Sequence, residues 1–136
     1  MMRVLVLCTG NSARSQIAEG LFRALGVDVS SAGTKPRDAV HPMAIEVMAE
    51  EGIDIRAQRP KDVAEFAGQR FDYVITVCDR AKESCPVMPG AKTLHWTFPD
   101  PAEASPADQA RAFREVLAGL RDRIEGFLAT TSKENA

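Results

Sequence analysis

Aromatic residues are scarce in this chain, 6% in all with one tryptophan and one tyrosine, and the only histidines are His41 and His95. The two histidines stand apart in sequence, without the close spacing of a zinc knuckle. Cysteine occurs three times, as Cys8, Cys78 and Cys85. An odd count without a secretory leader argues against a structural disulfide framework and leaves room for a transient, catalytic disulfide. Six residues separate Cys78 from Cys85, more than the ~2–4 of a zinc knuckle, so no metal site is expected. No apolar run approaches the ~18 residues of a membrane helix. The opening Met1-Met2-Arg3 and Val4-Leu5-Val6-Leu7 falls short of the ~7–15 apolar residues of a secretory segment and turns polar at Thr9. A cytoplasmic protein is expected. Charge is also short of either sign: Lys+Arg 17 against Asp+Glu 19 gives a net −2. That balance excludes a strong nucleic-acid or anionic-membrane partner, and any basic patch must be local.

What is present suits one domain of 136 residues, 45% hydrophobic and 26% charged, large enough to bury a core unaided. It is expected to span 1–136 and to act as a monomer. Residues 3–7 form a continuous apolar, β-prone run, the mark of a buried central strand. Ile17, Ala18, Leu21, Phe22 and Leu25 recur at helical spacing over 15–25, closed by Gly26. Further strands are predicted at 27–31, 72–77 and 92–95. Helices are predicted at 42–51, briefly at 62–66, and at 106–128, the last with Phe113, Val116, Leu117, Leu120, Ile124, Phe127 and Leu128 as its apolar face. The polar segment 130–136 is expected to be a disordered tail. Alternating strands and helices predict a three-layer α/β/α fold with a four-stranded parallel sheet. Ligands of such sheets bind beyond the carboxyl ends of the strands. Cys8, Cys78 and Asp100 all follow strands and can meet at that edge.

Cys8-Thr9-Gly10-Asn11-Ser12-Ala13-Arg14-Ser15 carries the chemistry. Five residues separate Cys8 from Arg14, which alone is weak. A strand precedes the loop, Gly10 and Asn11 tolerate unusual backbone angles, and a helix begins at about Ser15. The N–H groups of residues 9–15 can then turn inward as an anion nest, aided by the helix N-terminus. Arg14 supplies a planar fork for two oxygens of a tetrahedral oxyanion. This field should also lower the Cys8 pKa and give a thiolate nucleophile at neutral pH. Ser15 is expected to donate to that sulfur, Asn11 to pin the loop, and Glu19 to hold it from behind. The plain alternative is a structural cysteine in an ordinary strand-to-helix turn.

Asp100 lies in Trp96-Thr97-Phe98-Pro99-Asp100-Pro101, between two stiffening prolines. A carboxylic acid there is a candidate proton donor to a leaving oxygen. The local pattern is equally that of a turn-forming Asp. His41 and His95 suit capping or packing better than a chemical step, and Trp96 and Phe98 suit packing of the acid loop.

At Val6-Leu7-Cys8-Thr9-Gly10-Asn11-Ser12-Ala13-Arg14-Ser15-Gln16, Ser31-Ala32-Gly33, His41-Pro42, Val77-Cys78 through Cys85-Pro86, His95-Trp96 and Asp100-Pro101, the sequence resembles the low-molecular-weight protein tyrosine phosphatase fold. More narrowly, it resembles the thioredoxin-coupled arsenate reductases of that fold. The resemblance covers about residues 3–128. It implies that Cys8 attacks arsenate, Arg14 binds its oxygens and Asp100 acts as general acid. It also implies no tightly bound cofactor, with electrons from thioredoxin. Some relatives bind potassium through residues matching Asn11, Glu19 and Ser31 and a later segment that here reads Arg59-Pro60-Lys61. A basic residue there can supply the ion's charge, so no potassium dependence is expected.

Cys78 and Cys85 separate two chemistries. A phosphatase needs one cysteine, because water hydrolyses the phosphoenzyme. A reductase must deliver two electrons, for which a relay Cys8 to Cys78 to Cys85 suffices. The polar 79–84 segment suits a reach between the last two sulfurs. The competing reading is a low-molecular-weight tyrosine phosphatase, yet the single tyrosine, Tyr73, lies on a strand and not by the acid. A third is a non-enzymatic oxyanion-binding or redox-sensing module.

Overall fold

A computed structural model of the protein describes residues 2–78, 88 and 90–134. Among the described residues, four parallel strands form one sheet in the order β2-β1-β3-β4. These are β1 (Arg3–Cys8), β2 (Asp28–Gly33), β3 (Tyr73–Thr76) and β4 (Lys92–His95). The helices are α1 (Arg14–Ala24), α2 (Pro42–Glu50) and α3 (Gln109–Glu134), with short 3-10 turns at Val63–Phe66 and Pro101–Glu103. The expected α/β class with a four-stranded parallel sheet holds.

The apolar run of β1 has its cause in its place. Val4, Leu5, Val6 and Leu7 are fully buried, because the strand is paired on both sides. It meets β2 from Arg3↔Asp28 to Cys8↔Gly33 and β3 from Val4↔Tyr73 to Leu7↔Thr76. The chain leaves β1 to one side for β2 and returns to its other side for β3. The carboxyl ends of β1 and β3 therefore flank the point where strand order reverses, where such sheets form a crevice.

α1 lies against β2 and α3, and α2 packs on α3. The α3 stripe is as predicted: Phe113, Val116, Leu117, Leu120 and Ile124 are buried. Phe127 meets Phe22, Tyr73 and Trp96 edge-on with centroids 6.2, 4.9 and 5.6 Å away. Trp96 thus serves packing, as expected. Two ion pairs, Arg114–Glu50 and Arg121–Glu51, tie α3 to the end of α2.

The last helix departs from expectation at both ends. It starts at Gln109 rather than 106, because Ser105 to Asp108 closes a turn of its own, with Asp108 N donating to Ser105 O at 2.9 Å. It also continues to Glu134, so residues 130–134 are helix and not a disordered tail. Two of the polar side chains that suggested fraying, Thr130 and Thr131, turn back on the helix. Thr130 Oγ1 donates to Gly126 O at 3.0 Å and Thr131 Oγ1 to Leu128 O at 3.1 Å. Thr131 is buried.

Candidate active site

The loop between β1 and α1 is built so that its carbonyls face away from the cavity. Thr9 O, Gly10 O and Ser12 O accept from the backbone N–H groups of Lys35, Arg37 and His41, each at 2.9 Å. Asn11 O accepts from Gln16 Nε2 at 2.9 Å. In a trans peptide the C=O and the next N–H point opposite ways. Tying those four carbonyls outward turns the N–H groups of residues 10 to 13 inward. The result is a row of donors beside Cys8, at the start of α1 where the helix adds positive potential.

Asn11 makes the turn possible. Its φ is +48°, which asparagine tolerates because its side chain can satisfy local groups. It is fully buried, and its Nδ2 donates to Ser15 Oγ at 2.8 Å and Ser31 Oγ at 2.9 Å. Its Oδ1 accepts from Lys61 N at 2.9 Å. The expectation that Asn11 pins the loop is met in detail. Ser15 departs from expectation: its oxygen takes up Asn11, and none of its hydrogen bonds among the described residues goes to Cys8. The glycine at 33 is a steric requirement. A Cβ there would stand 2.5 Å from Thr9 O and 3.2 Å from Asn11 N, against backbone that cannot yield.

Arg14 opens α1 and reaches across to the acid loop. Its Nη1 donates to Phe98 O at 2.7 Å, and its Nη2 lies 3.8 Å from Asp100 Oδ2. Its Nε is buried and has no hydrogen-bond partner among the described residues. An unsatisfied buried guanidinium donor is costly unless a ligand uses it. Asp100 Oδ1 accepts from Ala102 N at 3.0 Å, capping the Pro101–Glu103 turn. Its other oxygen faces Arg14.

Cys8 and Cys78 are both buried thiols. Cys8 ends β1 and Cys78 lies two residues past the end of β3, the strand beside it. Thr9 Oγ1 lies 3.4 Å from Cys78 Sγ. The second thiol corrects one expectation. Cys8 is not an independent thiolate here. Its pKa is pushed up, first by the hydrogen bond to Cys78 and then by burial, against the opposing pull of Arg14 and the Thr9 N–H.

The loop, Arg14, Cys78 and Asp100 line one open cavity of about 930 Å³. The same walls carry Lys35, Arg37, His41 and Glu103, which sequence reasoning missed as site residues. A signal existed: Thr34-Lys35-Pro36-Arg37 directly follows β2, whose carboxyl end adjoins that of β1. His41 caps α2, its Nδ1 accepting from Met43 N at 3.0 Å, and its ring lies 4.7 Å from that of Phe113. Burial lowers its pKa, with Asp100 opposing and Arg37 reinforcing. His95 is exposed on edge strand β4 and bonded to Thr76 Oγ1 at 2.6 Å. The expectation of a capping and packing role holds for His41, whereas among the described residues His95 neither caps a helix nor packs in the core. Cys85 lies outside the described residues.

The chain matches the low molecular weight phosphotyrosine protein phosphatase family over residues 3–136. It belongs to that family. An arsenate reductase of Halalkalibacterium halodurans is 42% identical over 130 residues, covering 91% of this chain and 93% of its own. A solved arsenate reductase in its phosphate-binding state superposes with a TM-score of 0.78 at 33% identity, covering 96% of this chain and 98% of that one. A Corynebacterium glutamicum thioredoxin-dependent arsenate reductase gives 0.74 at 28% identity, over 96% of this chain and 63% of that one.

Behind the phosphatase-family loop, Glu19 is nearly inaccessible and fully paired. Its Oε1 accepts from Ser31 Oγ at 2.8 Å and lies 3.6 Å from Lys61 Nζ, and its Oε2 lies 2.9 Å from Arg23 Nη1. Lys61 Nζ also donates to Arg59 O at 2.8 Å. A potassium ion would need the carboxylate and carbonyl oxygens that the lysine ammonium already engages. These residues do not suit the ion.

Proposed function

We propose that this protein reduces arsenate to arsenite through a relay of three sulfurs, with thioredoxin as the final reductant. The observation that carries the proposal is the second thiol: Cys78 lines the same cavity as Cys8, its Sγ 3.4 Å from Thr9 Oγ1 of the oxyanion loop. Hydrolysis of a phosphoenzyme has no use for it. Relatives named arsenate reductase support the same choice.

The inward N–H groups and Arg14 hold the arsenate oxygens. Cys8, as thiolate, attacks arsenic, and one oxygen leaves as water after taking a proton from Asp100. The thiolate for that attack arises as the bound dianion, held by Arg14 and the inward N–H groups, takes the Cys8 proton. Cys78 then attacks Cys8 Sγ. The sulfur–sulfur bond forms as the sulfur–arsenic bond breaks, and its electron pair leaves with arsenite. Cys85 attacks Cys78, which frees Cys8 and leaves a Cys78–Cys85 disulfide for thioredoxin.

The test combines reduced protein, arsenate, thioredoxin, thioredoxin reductase and NADPH, and follows NADPH loss. Sustained consumption is expected. Cys78→Ser and Cys85→Ser should each stop multiple turnover while sparing any slow hydrolysis of phenyl phosphate. No consumption beside brisk phenyl phosphate hydrolysis would establish a phosphatase instead. Normal cycling by Cys85→Ser would remove that residue from the relay.

A further inference from the structure

We propose that Arg37, with Lys35 beside it, is a capture and specificity element at the mouth of the site, a second guanidinium that takes hold of a small oxyanion dianion. The proposal rests on the reading of the Cys8 loop as an oxyanion site. Both residues are exposed and line the same cavity as Cys8 and Arg14. Their positions are fixed, because the backbone N–H groups of Lys35 and Arg37 are bonded to Thr9 O and Gly10 O. The Arg37 side chain lies across Gly10: a Cβ there would stand 3.1 Å from its Nε, 3.2 Å from Cγ and 3.3 Å from Cδ. The missing side chain at Gly10 lets the arginine rest on the loop itself.

Neither basic side chain forms an ion pair among the described residues, whereas most arginines outside the cavity do. Their charge is therefore available to a ligand. In a chain of net charge −2, the cavity brings together Arg14, Lys35 and Arg37 against Asp100 and Glu103. The three cations outnumber the two carboxylates by one, and a cleft of net positive charge attracts anions.

Chemistry gives Arg37 a task that Arg14 cannot take. Arg14 has its Nη1 on Phe98 O and its Nη2 beside Asp100, so it serves the oxygens near the loop. In an in-line displacement the leaving oxygen points away from Cys8, toward the mouth. A free oxyanion offers that oxygen to Arg37 as a charge-assisted contact. A phosphate ester carries its organic group there and would have to displace the arginine. Arg37 thus favours free arsenate or phosphate over esters.

The experiment titrates inorganic phosphate into reduced wild type, Arg37→Gln and Arg37→Lys by calorimetry at low and high salt, and measures kcat and KM for arsenate alongside. Arg37→Gln should weaken phosphate about tenfold, the loss of one charge-assisted contact. It should raise the arsenate KM by a similar factor, with the effect falling on KM rather than kcat, and flatten the salt dependence. Arg37→Lys should restore the salt dependence while recovering only part of the affinity. Phosphate affinity within about twofold of wild type in Arg37→Gln would overturn the proposal. So would a salt dependence identical to that of wild type. Phosphate binding reads this site without reduction: Arg37-dependent binding in a protein that leaves arsenate unreduced would sink the reductase reading and uphold the capture role.

Discussion

Lys61 Nζ stands 3.6 Å from Glu19 Oε1, and both side chains are mostly withdrawn from water at 14% and 4% exposure. The pair lies behind the Asn11 turn, which Lys61 also braces through its backbone N–H on Asn11 Oδ1. A cation built into the chain replaces one that would otherwise come from solution. Turnover and melting temperature should therefore be the same in potassium as in sodium at equal ionic strength. Lys61→Met should lower stability by about 1–3 kcal/mol, since Glu19 keeps Arg23 but loses one buried partner. A clear gain with potassium in the wild type would contradict this account.

The coupling between Cys8 and Cys78 has a pH signature. The Cys8 pKa is raised above its ordinary 9.0. An acid whose folded pKa is raised holds its proton more tightly in the fold than in the unfolded chain. Above about pH 9 the unfolded state binds fewer protons, so stability falls as pH rises, and the fall continues through the accessible alkaline range. Replacing Cys78 by alanine removes the first cause of the shift. The melting temperature of Cys78→Ala should decline less between pH 8 and 10 than that of the wild type. Alkylation of Cys8 by iodoacetamide at neutral pH should become faster, because more of it is thiolate. An unchanged alkylation rate would mean that burial alone sets the shift.

Gly33 gives a purely steric prediction. Gly33→Ala would place a methyl 2.5 Å from Thr9 O, so the Cys8 loop or β2 must move. Overpacking of this kind costs about 1–3 kcal/mol. The displaced group belongs to the anion-binding loop, so phosphate affinity should drop even where the protein remains folded by circular dichroism. Loss of stability with phosphate affinity intact would show that β2 absorbs the strain and leaves the loop in place.

Much of this arrangement was legible in the chain because local pattern and tertiary role agree. The run Val4 to Leu7 reads as a central strand because pairing on both sides demands apolar residues throughout. The Cys8-to-Arg14 loop is readable because its glycine, asparagine and arginine meet local needs. What was missed depends on distant partners. Lys35 and Arg37 sit in an aperiodic stretch and become site residues only where β2 ends beside β1. The Cys8 pKa is set chiefly by a residue seventy positions away in sequence. Thr130 and Thr131 look like tail residues until their hydroxyls turn onto their own helix.

Asp100 has two separable roles, and one substitution distinguishes them. Its Oδ1 caps the Pro101–Glu103 turn through Ala102 N, while its Oδ2 faces Arg14. Asp100→Asn retains an oxygen for the cap, so stability should change by less than about 0.5 kcal/mol. It loses the transferable proton, so arsenate turnover should fall at least about a hundredfold. The deficit should depend on the leaving group. Phenolate is a poor leaving group that needs a proton, whereas nitrophenolate departs readily without one. If Asp100 is the general acid, phenyl phosphate hydrolysis should suffer far more in the variant than nitrophenyl phosphate hydrolysis. Equal losses on both esters would mean that the carboxylate acts only by positioning Arg14 and the acid loop.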